Sequence, residues 1–234
     1  MIALLIVVAT LFSYALGWAI GMPALVPVLN TLASYPFMVL ALKRGDLRLA
    51  VARMLLWALT MGVAATLLSY ARPAETGQLF IRAPAYRAEM FEWVLTGRGA
   101  ESTPLAFIPQ HLGHAALFST LTLATGGALG MPMGAVLMNC MGHYVGTLAE
   151  TSAHPARTIL LAWHPWAVIR VISFVVIGVV LSAPLLSRIG KFRVDWVTGR
   201  RLLAWASAGL VLDILLKALL APTWQRLLLR SAGW

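Results

Sequence analysis

The first 42 residues of this chain contain no charged side chain, and the first charge occurs at Lys43. At about 1.5 Å per residue, a helix of that length would be roughly twice as long as a bilayer's hydrocarbon core is thick. We therefore expect the segment to fold back as two helices, with a turn marked by Pro23 and Pro27. The returning arm, residues 24–43, is short and carries Pro36, which leaves open whether it spans fully or forms a tilted or re-entrant segment.

Hydrophobic residues make up 60% of the 234 residues and charged residues only 11%, against about a quarter in an ordinary soluble domain. More apolar stretches of near span length follow, separated by short polar breaks. Backbone polar groups in lipid must be satisfied within their own segment, and the alternating pattern of a transmembrane barrel is absent. The sequence thus predicts an all-α fold, a polytopic transmembrane helical bundle of six or seven spans.

The whole chain is expected to form a single integral membrane domain of four successive segments. These are N-terminal helices over residues 1–70, an outer loop over 71–106, a Gly-rich helical hairpin over 107–149 and C-terminal helices over 150–234. In the outer loop, "AYRAEMFEWVLTG" has apolar residues at helical spacing, namely Tyr86, Met90, Trp93 and Val94. An interfacial helix that ends at Gly97 is predicted there.

Prolines mark the predicted boundaries in the second half of the chain. Pro132 is expected to divide the hairpin into arms of 107–130 and 131–149, each long enough to span. A helix is predicted to begin at Pro165. The last helix is predicted to run from about residue 202 to 221 and to end at Pro222.

The formal charge of +10 resides in loops between apolar segments and does not form one basic face with interleaved aromatic residues. The pattern therefore indicates a lipid bilayer as the partner and argues against nucleic acid. Seven spans would put both basic loops, 43–53 and 187–201, in the cytoplasm, with the amino terminus there as well. The predicted location is the cell inner (cytoplasmic) membrane. If residues 24–43 do not span, six crossings remain and the amino terminus lies outside.

Three histidines in the hairpin region suggest a metal site. His111 and His114 lie at i and i+3, so their rings leave one side of a helix, and His143 on the other arm could complete a tripod for a transition metal. The alternative is that these side chains bind water or backbone carbonyls at the interface. Haem ligation is disfavoured because the histidines are not on facing helices at a common mid-depth.

Charged and amide side chains inside the predicted spans form the second candidate site, an intramembrane polar cluster. Its members are Asn139, His164, Arg170, Asp213 and Lys217. Arg170 is expected to pair with Asp213, while Lys217 pairs with Asp213 or extends outward. Either the ion pair fixes helix packing, or it lines a polar cavity for an ion, a proton or a lipid headgroup. Asn139 is expected to bond across helices or to contact a substrate.

Glycines in the hairpin follow a four-residue period at Gly126, Gly130 and Gly134, and again at Gly142 and Gly146. Such small-xxx-small faces let helix backbones approach closely, either within one chain or between chains. We expect a packing role for these residues, and a homo-oligomer or a larger membrane complex is consistent with it.

No familiar catalytic motif is present, since the chain lacks GxSxG, HExxH and a Gly-rich phosphate loop. The outer-loop carboxylates Glu89, Glu92 and Glu101 are expected to be solvated. Catalysis is therefore not the favoured prediction.

The hairpin "GGALGMPMGAVLMNCMGHYVG", the later "WHPWAVIRV" and the final "LVLDILLKALLAP" resemble the SpoIIM (stage II sporulation protein M) family over residues 107–225. Asn139 and His164 stand at matching positions. The chain departs from the family in having His111 and His114 where Asn is typical, Pro165 after His164, no following Glu, and a displaced acidic residue, Asp213. The resemblance implies an accessory of envelope remodelling without catalysis of its own.

The function expected from these observations is a noncatalytic scaffold or transport-like component of the cell envelope. A carrier or channel for a small solute, ion or lipid is the first alternative, and it requires the polar cluster to face a continuous cavity. A metal-dependent membrane enzyme that uses the histidines is the second alternative.

Overall fold

The computed structural model describes all 234 residues and contains helices but no strands. Eleven α-helices and one 3₁₀ turn, Ala100–Ser102, follow one another along the chain. The helices are α1 (Ile2–Ile20), α2 (Val26–Leu32), α3 (Tyr35–Lys43), α4 (Leu47–Ala71), α5 (Pro73–Leu79), α6 (Ala83–Thr96), α7 (Pro104–Thr125), α8 (Gly130–Glu150), α9 (Pro155–Ala162), α10 (Pro165–Gly190) and α11 (Trp196–Ala232). The all-α prediction is confirmed.

Five helical segments are long and apolar enough to cross a membrane: α1, α2 together with α3, α4, α10 and α11. The chain is therefore described as a helical membrane protein. The two hairpin helices, α7 and α8, are also long enough to span but are less apolar. In α7 the polar residues Gln110, His111 and His114 lower the hydropathy, whereas α8 lies inside the bundle, where a helix needs no lipid-compatible surface.

Helix α8 forms the centre of the bundle and packs most extensively against α4. Every residue from Met138 to Ala149 is buried. Two glycines allow this packing, because a methyl group at Gly142 would lie 2.5 Å from Ala65 Cβ and one at Gly146 would collide with the Thr66 carbonyl. The predicted packing role is confirmed for these two residues.

The hairpin turns at residues 126–129, a few residues before the predicted break. Gly126 (φ 60°) and Gly127 (φ 90°) adopt left-handed conformations that favour glycine. Pro132 lies in the first turn of α8, where its missing N–H removes no helical hydrogen bond. The prediction that Pro132 divides the arms is therefore wrong, because the glycines and not the proline make the turn.

The returning arm is a broken helix, with α2 and α3 meeting at Ala33–Ser34. Side chains of α4 satisfy backbone groups near the break. Trp57 Nε1 donates to the Asn30 carbonyl at 2.8 Å, and Arg53 Nη1 donates to the Phe37 carbonyl at 2.6 Å. The backbone can therefore leave the helical path inside the bundle without losing its hydrogen bonds.

The bundle has two chemically different ends. At the end that we call the basic end, Lys43 packs beside Gly190, and Leu47 packs beside Gly199, so the α3–α4 turn and the α10–α11 loop are neighbours. At the opposite end, the α6 end, α11 is joined to α6 and α9. Gln225 Nε2 donates to the Val94 carbonyl at 2.6 Å, and Trp224 Nε1 donates to the Leu161 carbonyl at 2.7 Å.

Three helices that reach the α6 end, namely α6, α10 and α11, test the remaining predicted boundaries. Helix α6 buries Met90, Trp93 and Val94 and ends at Gly97 in a left-handed conformation, as predicted. Helix α10 begins at Pro165, as predicted. The prediction that the last helix ends at Pro222 is wrong, because α11 continues to Ala232, where its contacts with α6 and α9 outweigh the one hydrogen bond that the proline removes.

Candidate functional site: a charged cluster at the α6 end

An amide network lies at the middle of the bundle and joins α1, α2 and α8. Tyr14 Oη donates to Asn139 Oδ1 at 2.7 Å, and Asn139 Nδ2 donates to Asn30 Oδ1 at 3.0 Å. Asn30 Nδ2 in turn donates to Ser13 Oγ at 2.8 Å. All four side chains are buried. Asn139 therefore bonds across helices, as expected, and it belongs to this neutral network and not to the group of charged residues.

The charged residues meet nearer the α6 end, between α10 and α11. Arg170 Nε and Nη2 each donate to one carboxylate oxygen of Asp213 at 3.0 Å. The Asp213 side chain is 2% exposed, so its carboxylate is almost completely shielded from water. A two-bond guanidinium–carboxylate pair is the strongest geometry available to such partners. The predicted Arg170–Asp213 pair is confirmed.

Lys217 has a different partner from the one expected. Its ammonium donates to Glu101 Oε1 at 2.6 Å and lies 4.4 Å from the centre of the Phe107 ring. The only ion pair of Lys217 is the one with Glu101, so it does not pair directly with Asp213. Because Lys217 is fully buried, it does not extend outward either. The predicted partners of Lys217 are therefore wrong. The 3₁₀ turn lies against α11 and places the Glu101 carboxylate beside Lys217, although the two residues are 116 positions apart in the sequence.

Glu101 is likewise not the solvated loop residue that was expected, since its side chain is only 12% exposed. Burial alone would raise the pKa of its carboxyl group. The positive charges of Lys217 and Arg170 outweigh burial and hold the pKa of Glu101 below its ordinary value. Glu101 is therefore ionised at neutral pH. We call Glu101, His164, Arg170, Asp213 and Lys217 the charged cluster.

His164 is the neutral member of the charged cluster and is packed among aromatic rings. It stacks on Trp166 with 4.6 Å between ring centroids, and Trp93 meets it edge-on at 5.4 Å. Burial, helped by Arg170 and Lys217 and opposed by Glu101, lowers the pKa of His164 to about 3. His164 Nε2 and Trp166 Nε1 are both buried without a hydrogen-bond partner.

The predicted metal tripod is not formed. No group of three or more His, Cys, Asp or Glu side chains has a geometry that could hold a metal ion. His143 is directed toward α5, where its Nδ1 lies 3.2 Å from Thr76 Oγ1, whereas His111 Nδ1 lies 3.8 Å from Asp213 Oδ2. His114 is partly exposed on α7. The tripod fails because α5 fills the side of α8 that carries His143.

A small cavity of about 30 Å³ adjoins the Arg170–Asp213 pair. His111 lines it together with apolar side chains of α7, α10 and α11, among them Phe174 and Leu210. This volume has room for a water molecule, and a water there could bridge His111 Nδ1 and the Asp213 carboxylate. Asn139 does not line this cavity.

Sequence reasoning missed two partners that a count of groups could have found. Arg170 and Lys217 are two intramembrane cations, but only one acid, Asp213, was assigned to them, so a second buried carboxylate was required. Similarly, Asn30 and Asn139 are lone amides in apolar segments, and each needs a polar partner in lipid. Glu101 and Asn30 meet these two requirements.

Comparison of the chain with models of known protein families, with curated proteins and with solved structures gives no match. The SpoIIM-like resemblance therefore stays a prediction.

Proposed function

We propose that this chain is a noncatalytic scaffold of the cell envelope, a structural membrane component that presents the α6 end as a platform. The observation that carries the proposal is that the charged and amide side chains within the bundle pair with each other across its elements. Arg170 pairs with Asp213, Lys217 pairs with Glu101, and the amides bond to each other. Side chains that are paired with each other in this way favour a single arrangement of the helices.

In this proposal the bundle crosses the inner membrane seven times, with α7 and α8 counted as spans. The basic end, which carries residues 43–53 and 187–201, faces the cytoplasm together with the amino terminus, since cationic loops are retained there. The α6 end then faces outside. Single cysteines at Arg44 and Arg98 would test this, because the chain's only cysteine, Cys140, is buried. Labelling of R98C alone by an impermeant maleimide on intact cells is expected.

Exposed apolar surface supports membrane insertion and contact with neighbours. Along α11, large side chains such as Trp205, Leu215 and Leu219 are exposed. Within the proposal this face contacts lipid or a neighbouring chain, in a homo-oligomer or a larger membrane complex. The SpoIIM-like resemblance, in which Asn139 and His164 are the matched positions, agrees with an accessory role.

A carrier for a small solute or ion is the second candidate, and one observation favours it. Helix α2–α3 is interrupted inside the bundle, close to where Asn30 meets Asn139, and interrupted helices often form the substrate sites of transporters.

Asp213→Asn distinguishes the two candidates. If the chain is a scaffold, purified protein in liposomes conducts neither protons nor K⁺ above the protein-free background, and the substitution lowers thermal stability. If it is a carrier, the native protein gives a flux that Asp213→Asn abolishes while thermal stability is kept. Arg226→Gln, an exposed change on the same helix, is the control for both readouts.

A further inference from the structure

Among the buried side-chain polar atoms without a hydrogen-bond partner, one group of three lies together. Seven such side-chain atoms occur, and three of them are Ser or Thr hydroxyls: Ser34, Ser69 and Thr122. A hydroxyl within a helix can rotate toward a backbone carbonyl four residues earlier. The other four are ring or phenol groups that cannot be satisfied locally: His111 Nδ1, Tyr144 Oη, His164 Nε2 and Trp166 Nε1.

Three of these four groups form one aromatic set beside the Glu101–Lys217 pair. Tyr144 lies 6.1 Å from His164 between ring centroids, and His164 stacks on Trp166. All three side chains are at most 1% exposed. Trp93 joins this set to the turn that carries Glu101, because it meets His164 edge-on at 5.4 Å and its Nε1 donates to Ser102 Oγ at 2.8 Å. Buried donors of this kind call for an acceptor that the folded chain does not provide.

Lys217 also has unused hydrogen-bonding capacity. An ammonium group carries three N–H donors, but Lys217 makes a single hydrogen bond, to Glu101. Its remaining donors lie in a fully buried environment next to the Phe107 ring. The cation is therefore undercoordinated for its degree of burial.

Glu101 is held less firmly than the groups around it. It lies in a 3₁₀ turn of three residues between two loops, and Gly97 (φ 69°) and Gly99 (φ 127°) precede it in conformations that favour glycine. Apart from the Lys217 bond, one side-chain hydrogen bond joins the turn to another helix, from Trp93 Nε1 to Ser102 Oγ at 2.8 Å. Rotation about the glycines can withdraw Glu101 without unfolding a long helix.

We propose that the α6 end contains a binding site for a small carboxylate, and that Glu101 occupies the ligand's position when no ligand is bound. The incoming carboxylate replaces Glu101 on Lys217 and accepts hydrogen bonds from Tyr144 Oη and Trp166 Nε1. Exchange of one carboxylate for another keeps two positive and two negative charges in the cluster, so no net charge is buried. This proposal does not depend on the scaffold role.

The first test removes the internal carboxylate and supplies an external one. Purified Glu101→Ala is titrated with sodium acetate at neutral pH, and thermal unfolding is followed against equal concentrations of sodium chloride. We expect saturable stabilisation with an apparent Kd about tenfold or more below that of the native protein, in which Glu101 competes. Glu89→Ala, which removes an exposed carboxylate from neighbouring α6, should titrate as the native protein does.

The second test separates a ligand contact from a packing role. Tyr144→Phe removes only the unpartnered hydroxyl, so thermal stability without acetate should be unchanged or raised. In the Glu101→Ala background, the same substitution should weaken acetate binding about fivefold to tenfold, the value of one hydrogen bond. A purely structural Tyr144 would change stability and leave the acetate Kd unaltered.

Two results would overturn the proposal. One is a Glu101→Ala protein whose response to acetate equals its response to chloride. The other is an acetate affinity that is unchanged from that of Glu101→Ala in both double variants, Glu101→Ala/Tyr144→Phe and Glu101→Ala/Lys217→Gln. If the Lys217 variant does not fold, the Tyr144→Phe comparison decides, because that substitution removes no further charge from the Glu101→Ala protein.

Discussion

The amide network and the charged cluster are both buried and polar, but they differ in how completely their groups are satisfied. In the amide network, Tyr14, Asn30 and Asn139 form an unbroken chain of hydrogen bonds between neutral groups. In the charged cluster, two ion pairs lie beside His164 and Trp166, and the buried His164 Nε2 and Trp166 Nε1 have no partner. Unsatisfied buried groups cost stability, and natural proteins retain them mainly where they serve function.

The difference indicates which region holds the bundle together and which one can change. A closed neutral network has one best arrangement and loses energy in any other. In the charged cluster, Glu101 lies in a short 3₁₀ turn, and Lys217 has N–H donors without a partner. A second arrangement is therefore accessible to this cluster. Binding is therefore expected at the α6 end, and structural constraint is expected at mid-bundle.

The largest effect is expected from breaking the Arg170–Asp213 pair. Arg170→Met leaves the Asp213 carboxylate buried without its main partner and should lower the free energy of unfolding by about 3–5 kcal/mol. Equilibrium unfolding in mixed micelles, followed by tryptophan fluorescence, measures it. Arg170→Met/Asp213→Leu should recover most of the loss, because no lone charge remains. A double variant as unstable as the single one would show that the pair does more than neutralise charge.

The next effect is expected from opening the amide network. Asn139→Leu keeps the branched skeleton of four side-chain heavy atoms but leaves Tyr14 Oη and Asn30 Oδ1 without their partner, which should cost about 1–3 kcal/mol. The same unfolding assay measures the loss. Met138→Leu, at the adjacent buried position, is the control and should cost less than about 1.5 kcal/mol. Equal losses in both variants would contradict a specific role for the amide.

A smaller and reversible loss of thermal stability is expected on acidification, because Glu101 can turn toward water once its carboxylate is protonated. The folded state holds the pKa of Glu101 below its unfolded value, so the Glu101–Lys217 pair contributes its full stability above about pH 4.3. That contribution is lost as pH falls through the lower, folded-state pKa. Thermal unfolding between pH 6 and pH 3 should therefore show a decline that Glu101→Gln reduces. An identical pH profile in both proteins would contradict it.

The smallest effect contrasts two buried tyrosines, one from each region. Tyr14→Phe removes a hydroxyl that donates to Asn139 at 2.7 Å and should cost about 1 kcal/mol. Tyr144→Phe removes an unpartnered hydroxyl and should cost nothing or raise stability. Parallel unfolding curves measure both. Opposite signs would sharpen the distinction between the regions, and a larger loss at Tyr144 would reverse it.

Local patterns predicted the elements that depend on neighbouring residues. The apolar face of α6, its end at Gly97 and the start of α10 at Pro165 were predictable, because helix periodicity and capping act within a few residues. The Arg170–Asp213 pair was also predictable, because lipid leaves buried charges few other choices. Pro222 was misleading, since the contacts that carry α11 past it come from helices distant in sequence.

By itself, the sequence determined that this chain is an all-helical membrane protein with paired charges inside it, since the cost of unpaired polar groups in lipid holds whatever the tertiary arrangement. Only the tertiary structure decided which groups meet. It turned His143 away from His111, separated Asn139 from the charged cluster and brought Glu101 to Lys217. These outcomes depend on helix rotation and on the path of a loop, and packing across the whole bundle sets both.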